Sequence, residues 1–166
     1  MAVLILLLVS TIVATGIPAA RNAYEKVVVA ANAQSVLSTV LSALRNELGT
    51  AREVDCKSKS GPIVYRSAKT GMSTRIFNGS DTIMVEEFAK PGEENTDYQH
   101  SLVPAAVYAG DITGKLVISY SDVSYDKAAG IITLSVSVKH KAKDKTIELA
   151  SKKAYRIETF SEKVAE

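Results

Sequence analysis

The sequence has no tryptophan and a single cysteine, Cys56, among its 166 residues. One cysteine excludes a disulfide within the chain, and we expect Cys56 to be a small, partly buried residue near the end of a helix. Aromatic residues make up only 6% of the chain, which argues weakly against a stacking platform for sugars or single-stranded bases. The formal net charge is only +2, so charge gives no case for strong nucleic-acid binding.

Catalytic motifs are also missing from the sequence. We find no Ser-His-Asp set, phosphate-binding loop or dinucleotide fingerprint. His100 and His140 have no His, Cys or paired carboxylate at metal-ligand spacing, and we expect both to be exposed. The acidic pairs at residues 86–87 and 93–94 lack the alternating ligands of a calcium loop, which favours a solvated face. The sequence therefore predicts no catalytic residue, no metal site and no cofactor, and a protein that is not an enzyme.

Charge is absent from residues 2–20, AVLILLLVSTIVATGIPAA. An apolar run of about 20 residues is what a helix needs to cross the hydrocarbon core of a bilayer. From Arg21 onward the apolar residues recur at helical spacing on one side only, which is typical of an amphipathic helix. The recurring residues are Tyr24, Val27, Val28, Ala31, Leu37, Val40, Leu41, Leu44 and Leu48. The sequence predicts one long helix, with a transmembrane half at residues 1–20 and an amphipathic half at residues 21–54.

The rest of the chain, residues 55–166, is predicted to form an antiparallel β head. Strands are predicted at residues 63–67, 73–77, 82–88, 115–125 and 131–139, and a last, broken strand at residues 146–160. The pair Asn78-Gly79 predicts a tight turn between the second and third strands. Residues 90–101 are predicted as a surface loop, and residues 102–108 as a helical turn or a short strand. The predicted fold class is α+β, with the long helix packed on an antiparallel sheet of four to six strands.

Two surface features allow more than one interpretation. Asn78-Gly79-Ser80 matches the glycosylation acceptor pattern, although its glycine also suits a hairpin turn, which we prefer. A run of basic residues lies along one end of a predicted hairpin. We interpret it as a charged edge that blocks pairing with another sheet, in preference to a surface that touches an anionic partner. Its members are Lys139, Lys141, Lys143, Lys145, Lys152 and Lys153.

The apolar opening MAVLILLLVSTIVATGIPAARNAYEK, with Gly16 and Pro18 inside it and an amphipathic continuation to Leu48, resembles the type IV pilin and pseudopilin family. The resemblance implies that the apolar half lies in the inner membrane before assembly and in the filament core afterwards. It also implies cleavage by a prepilin peptidase, N-methylation, and an unwound segment near Gly16 and Pro18 in the filament. The family's leader, processing glycine and following acidic residue do not appear before Met1, and we expect the given sequence to begin inside that motif.

The resulting hypothesis is a structural subunit, a minor pilin or pseudopilin, of a filament that serves adhesion, motility, DNA uptake or secretion. Its expected partners are copies of itself, other pilins, the membrane assembly platform with its ATPase, and membrane lipid before assembly. Residues predicted to pack helix against helix are Leu4, Leu7, Leu8, Ile12, Gly16, Ile17 and Pro18. The head is expected outside the cytoplasm and, after assembly, in an extracellular filament.

Three alternatives remain open at this point. One is a single-pass membrane-anchored module whose extracytoplasmic head captures a ligand. Another is a secreted enzyme with an unrecognised site. The third is a cleaved signal peptide, although no positive region precedes the apolar run and that run is longer than usual.

Overall fold

The computed structural model describes residues 2–56, 58–88, 98–104, 115–141 and 145–160, without the side chains of residues 2, 4, 6, 8 and 9. In chain order the elements are helix α1 (Ala2–Leu48) and strands β1 (Ala51–Cys56), β2 (Ile63–Ser67), β3 (Ser73–Asn78), β4 (Ile83–Phe88), β5 (Gln99–Ser101), β6 (Lys115–Asp126), β7 (Ile131–Lys141) and β8 (Thr146–Glu158). The described strands form two antiparallel sheets, β1-β2-β3-β4-β5 and β6-β7-β8. The α+β class is confirmed, but the strands are divided between two sheets and are more numerous than expected.

One face of the second half of α1 forms the centre of the core. Its buried residues recur at spacings of three and four, so they lie on a single stripe. They are Ala33, Val36, Leu37, Val40, Leu44 and Leu48. The predicted stripe was correct from Leu37 onward. Before Leu37 it was wrong for Tyr24, Val27 and Ala31, which are exposed, whereas Val28 is half-buried. The physical reason is that the head begins to cover the helix only near residue 28, and it meets the side that carries Ala33.

The helix ends at Leu48, and the predicted extension to residue 54 was wrong. The Gly49 N–H donates to the Arg45 carbonyl at 2.8 Å, and the Lys69 ammonium donates to the Asn46 carbonyl at 3.0 Å. Both contacts satisfy carbonyls that the last helical turn leaves open. The residues that follow form β1, because their backbone pairs with β2 and hydrogen-bonded pairing decides the conformation of this polar stretch.

The hairpin of β3 and β4 is confirmed, with Ile76 opposite Val85. Its connection differs from the predicted tight turn, because Asn78 still pairs with Ile83 and the loop comprises residues 79–82. The Gly79 N–H closes that loop on the Thr82 carbonyl at 2.8 Å. The predicted surface loop ends earlier than expected, since residues 99–101 form β5 against β4. Residues 89–97 and 105–114 lie outside the described residues.

The meander of β6, β7 and β8 is confirmed and its strands are longer than expected. Alternate residues of β7, Ile132, Leu134, Val136 and Val138, are buried as the pattern predicted. The predicted break in the last strand corresponds to irregular pairing within one continuous strand. Its register against β7 shifts between Leu134 and Val136, and Ala154 adopts a φ of 50°.

An asparagine side chain joins the two sheets. The Asn78 amide donates from Nδ2 to the Tyr120 carbonyl and accepts at Oδ1 from the Tyr120 N–H, both at 2.9 Å. The Ile118 N–H donates to the Asp81 carbonyl at 3.0 Å on the same edge of β6. The Asn78 side chain therefore makes the two backbone hydrogen bonds to β6 that a neighbouring strand would make. This use of the amide nitrogen argues against the glycosylation alternative.

Candidate assembly surface on the exposed half of the helix

The first half of α1 extends beyond the head. Every residue from 10 to 24 is exposed, including Ile12 at 61% and Ile17 at 64%. At about 1.5 Å per residue, the 25 or so residues before the head are roughly 40 Å long. A continuous apolar surface of this kind is unfavourable in water, so it requires lipid or other protein around it. Among the described residues, Ser10–Leu48 is a helix long and apolar enough, by length and composition, to cross a membrane.

Two hydroxyl groups of this segment are satisfied by the helix itself. The Thr11 hydroxyl donates to the Leu7 carbonyl at 2.6 Å, and the Thr15 hydroxyl donates to the Thr11 carbonyl at 2.9 Å. An unpaired hydroxyl would be costly in an apolar surrounding, and these two hydroxyls avoid that cost. The first charge is on Arg21, whose Nε lies 3.0 Å from the Glu25 carboxylate. The segment before Arg21 is thus compatible with hydrocarbon on all sides.

Gly16 and Pro18 lie inside this exposed segment, and the helix is continuous through both. A Cβ added to Gly16 would meet no atom within 4 Å, so this position leaves room for another helix to approach closely. Pro18 has no N–H, so the Ala14 carbonyl loses its normal helical donor. The unwound segment near these residues stays a prediction for the filament, because the single chain shows an uninterrupted helix.

The predicted packing residues are exposed but do not share one face. Leu7, Ile12, Gly16, Ile17 and Pro18 are all exposed, whereas the side chains of Leu4 and Leu8 lie outside the described part. At 3.6 residues per turn, the five described positions are distributed around the helix. The structure therefore gives a cylindrical apolar surface and does not select a packing face.

Sequence analysis missed part of this surface. Tyr24 is 71% exposed and Val27 is 67% exposed, although both were assigned to the buried stripe. They extend the exposed apolar surface past the first charged residue. The sequence carried no signal for this, because apolar residues continue at helical spacing on both sides of the point where the head begins.

The described residues contain no group of three or more His, Cys, Asp or Glu placed to hold a metal ion, and the absence of a metal site stays a prediction. His100 is exposed as expected, but the prediction was wrong for His140, which is half-buried in β7. Cys56 is partly buried at the end of β1 and not at the helix end. Burial and the Asp55 carboxylate raise the pKa of its thiol to about 11.

The prediction of a solvated acidic face was wrong at Glu86, which is completely buried. Arg75 lies directly opposite on β3 and donates from Nε to Glu86 Oε2 at 2.7 Å. Gln99 on β5 donates from Nε2 to Glu86 Oε1 at 3.0 Å. The carboxylate is buried because two neighbouring strands supply its donors. Glu87 is half-buried, and residues 93–94 lie outside the described residues.

The basic run does not form one group. Lys141 and Lys145 are exposed where β7 and β8 meet, and Lys139 lies opposite Glu148. Lys152 and its neighbour Lys153 are also exposed, but Lys152 lies opposite Val136, half-way along β8. Lys143 lies outside the described residues. The lysines therefore form two separate groups on the same sheet.

A scan against protein-family models, a search of curated proteins and a search of solved structures returned no match to the chain. The candidate assembly surface is therefore supported only by the length, apolarity and exposure of the helix.

Proposed function

We propose that the chain is a structural subunit of a type IV pilus-like filament, a minor pilin or pseudopilin, that assembles through the first half of α1. The supporting observation is a single unbroken helix. The head covers one face of its second half, and its first half is exposed and apolar on every side. The first half is suited to lipid before assembly and to copies of itself or other pilins afterwards. Neighbouring subunits would already associate through this half of the helix in the membrane, and an assembly platform there would complete the transfer.

The energetics of such a transfer favour packing as its driving force. A helix that is apolar all round gains little hydrophobic free energy on leaving lipid tails for other apolar helices. Close contact at small residues then supplies the difference, and at Gly16 nothing blocks the close approach of another helix. This proposal predicts that bulk at Gly16 matters more than hydrophobicity there.

The test is disulfide cross-linking of the full chain in lipid vesicles. Cys56 is first changed to serine, and single cysteines are then introduced by Leu7→Cys, Ile12→Cys and Ile17→Cys. Specific packing predicts strong cross-linking at some of these positions and weak cross-linking at others, unchanged when the lipid-to-protein ratio rises tenfold. Met72→Cys, at an exposed position between β2 and β3, is the matched control in the head.

The variant Gly16→Leu distinguishes packing from simple anchoring. It keeps the segment apolar, so vesicle retention is expected to be unchanged, while cross-linking falls because the leucine blocks close approach. The alternative is a single-pass anchor for an extracytoplasmic binding module. Cross-linking that drops in proportion to lipid dilution at every position, and is unaffected by Gly16→Leu, would favour that anchor and refute the filament subunit.

A further inference from the structure

The orientation of the three-stranded sheet along the helix can be deduced from its ends. A Cβ added to Gly49 would lie 3.8 Å from the Glu158 carbonyl oxygen, and the Arg52 guanidinium lies 4.6 Å from the centre of the Phe160 ring. The end of β8 therefore lies beside the end of α1. Because β8 is one continuous strand of 13 residues, its other end, where Lys141 pairs with Thr146, lies about 40 Å away along the strand.

The buried positions support this alignment. On β7 they run from Ile132 to Val138, about 20 Å at 3.3 Å per residue. On α1 they run from Leu48 back to Ala33, about 23 Å at 1.5 Å per residue. The similar lengths are those expected of strands that run along the helix, an alignment that brings Val138 level with the region of Ala33. Lys141 is three residues further along β7, about 10 Å, which corresponds to about seven helical residues before Ala33.

Basic residues gather at this level, close to the end of the uncharged segment. We call them the basic rim, and its members are Lys26, Lys115, Lys139, Lys141 and Lys145. Lys115 pairs with Asp81, and Lys139 lies opposite Glu148.

The other three members of the rim, Lys26, Lys141 and Lys145, are exposed and have no ion pair among the described residues. The rim thus keeps a net positive charge roughly 10 Å beyond Ala20. This is just outside a headgroup layer that is about 5 to 8 Å thick on each side of the hydrocarbon core, and long lysine side chains can reach back into that layer.

We propose that the basic rim binds the phosphate groups of anionic lipid headgroups while the helix is in the bilayer, and so holds the head against the membrane surface. The inference depends on the membrane-embedded stage of the proposed function. Position favours lipid over an acidic protein surface, because the rim is level with the end of the segment that lipid must cover. Each lysine near an anionic surface changes the binding equilibrium by about fivefold.

The test measures how closely the rim approaches the lipid. A fluorophore is attached to the full chain at Thr146→Cys in a Cys56→Ser background, and the chain is reconstituted in vesicles that contain a quencher on some headgroups. We expect stronger quenching in vesicles with 30% phosphatidylglycerol than in pure phosphatidylcholine. The double variant Lys141→Glu/Lys145→Glu should abolish that difference, and 0.5 M salt should reduce it.

The matched control is Lys152→Glu/Lys153→Glu, which makes the same charge change on β8. These residues lie about 20 Å from Thr146 at 3.3 Å per residue, more than two Debye lengths at physiological salt. The fluorophore on the control variant should be quenched as strongly as the fluorophore on the parent chain. Lys141→Gln/Lys145→Gln, with an unchanged circular dichroism spectrum, separates loss of charge from misfolding.

Three outcomes would overturn the inference. Equal quenching in both lipids, from a chain that floats with the vesicles, would reject the lipid contact and leave the membrane helix intact. Quenching that appears in phosphatidylcholine and rises with protein density would show that the rim contacts a neighbouring copy of the chain and not the lipid. A chain that does not float with vesicles would refute the membrane-embedded helix and the rim together, whereas the cross-linking pattern at Ile12 tests assembly separately.

Discussion

The contact between Asn78 and Tyr120 is the most direct test of how the head is built. N78A removes two hydrogen bonds that join the sheets, each 2.9 Å long. Each bond contributes about 1 kcal/mol, and a buried N–H left without an acceptor costs a further 1 to 3 kcal/mol or so. Tyr120 is only 2% exposed, so water does not easily replace the lost acceptor. We therefore expect a loss of about 3 to 5 kcal/mol in the free energy of unfolding.

The measurement is guanidinium unfolding of the full chain in detergent micelles, followed by circular dichroism and tyrosine fluorescence. A loss of about 4 kcal/mol corresponds to a fall of roughly 1 M in the guanidinium midpoint for a domain of this size. N78D keeps an acceptor for the Tyr120 N–H but faces the Tyr120 carbonyl with a carboxylate, so it should cost at least as much. S80A abolishes the glycosylation pattern without touching this contact, and its stability should stay within about 0.5 kcal/mol of the parent.

The result that would refute this reasoning is a small effect of N78A. A loss below about 0.5 kcal/mol would mean that the sheets are joined mainly by packing and that the amide bonds are replaced by water. A large loss in S80A would be equally damaging, since it would point to a role for the loop and not for the amide of Asn78.

Three further changes test other features of the fold. R75A should cost about 3 to 5 kcal/mol because it leaves Glu86 buried without its ion pair, whereas the R75M/E86L double variant should lose less in the same unfolding assay. A154G should raise the guanidinium midpoint, with a gain of about 0.5 kcal/mol, because it relieves a φ of 50° that costs an L-residue about 1 kcal/mol or more. Cys56 should resist iodoacetamide up to about pH 10 in the folded chain, because burial and Asp55 raise its pKa from 9.0 to about 11. The folded thiol then holds its proton more tightly than the unfolded one, so its contribution to stability is complete below pH 9 and is lost as the pH rises to about 11.

Local pattern was sufficient wherever one strand or one helix face determines its own environment. The alternation of Ile132, Leu134, Val136 and Val138 predicted a half-buried strand, and that strand is β7. The uncharged residues 2–20 predicted a helix whose length and apolarity suit a membrane, which the structure supports. In both cases the deciding property, period or apolarity, is carried by neighbouring residues in the chain.

Local pattern failed where the deciding partner comes from elsewhere in the chain. Glu86 looks like a surface residue until Arg75 and Gln99 are placed on the strands beside it. The amide of Asn78 was assigned to a turn or a sugar because its real partner, Tyr120, is 42 residues away. The apolar pattern of the helix did not reveal that the head begins near residue 28, because apolar residues continue on both sides of that point.

The same limit explains why the packing face of the candidate site could not be predicted. A helix that must be soluble in lipid is apolar in every direction, so hydrophobicity cannot distinguish the side that contacts another helix. Shape can make that distinction, and Gly16 is the only residue of the described exposed segment that has no side chain. Testing bulk at that position is therefore more informative than testing polarity.

The continuity of α1 also determines how the head can move relative to the membrane. The head covers one face of the helix from Ala33 to Leu48. Regular helix, in which each backbone N–H bonds to the carbonyl four residues earlier, joins that region to Pro18. The weakest point is near Gly16 and Pro18, where one backbone donor is missing and glycine lowers helix stability by about 1 kcal/mol relative to alanine. Both residues lie inside the uncharged segment and not between it and the head. Bending there would carry the head and residues 19–48 as one unit, and the basic rim would approach or leave the lipid surface with them.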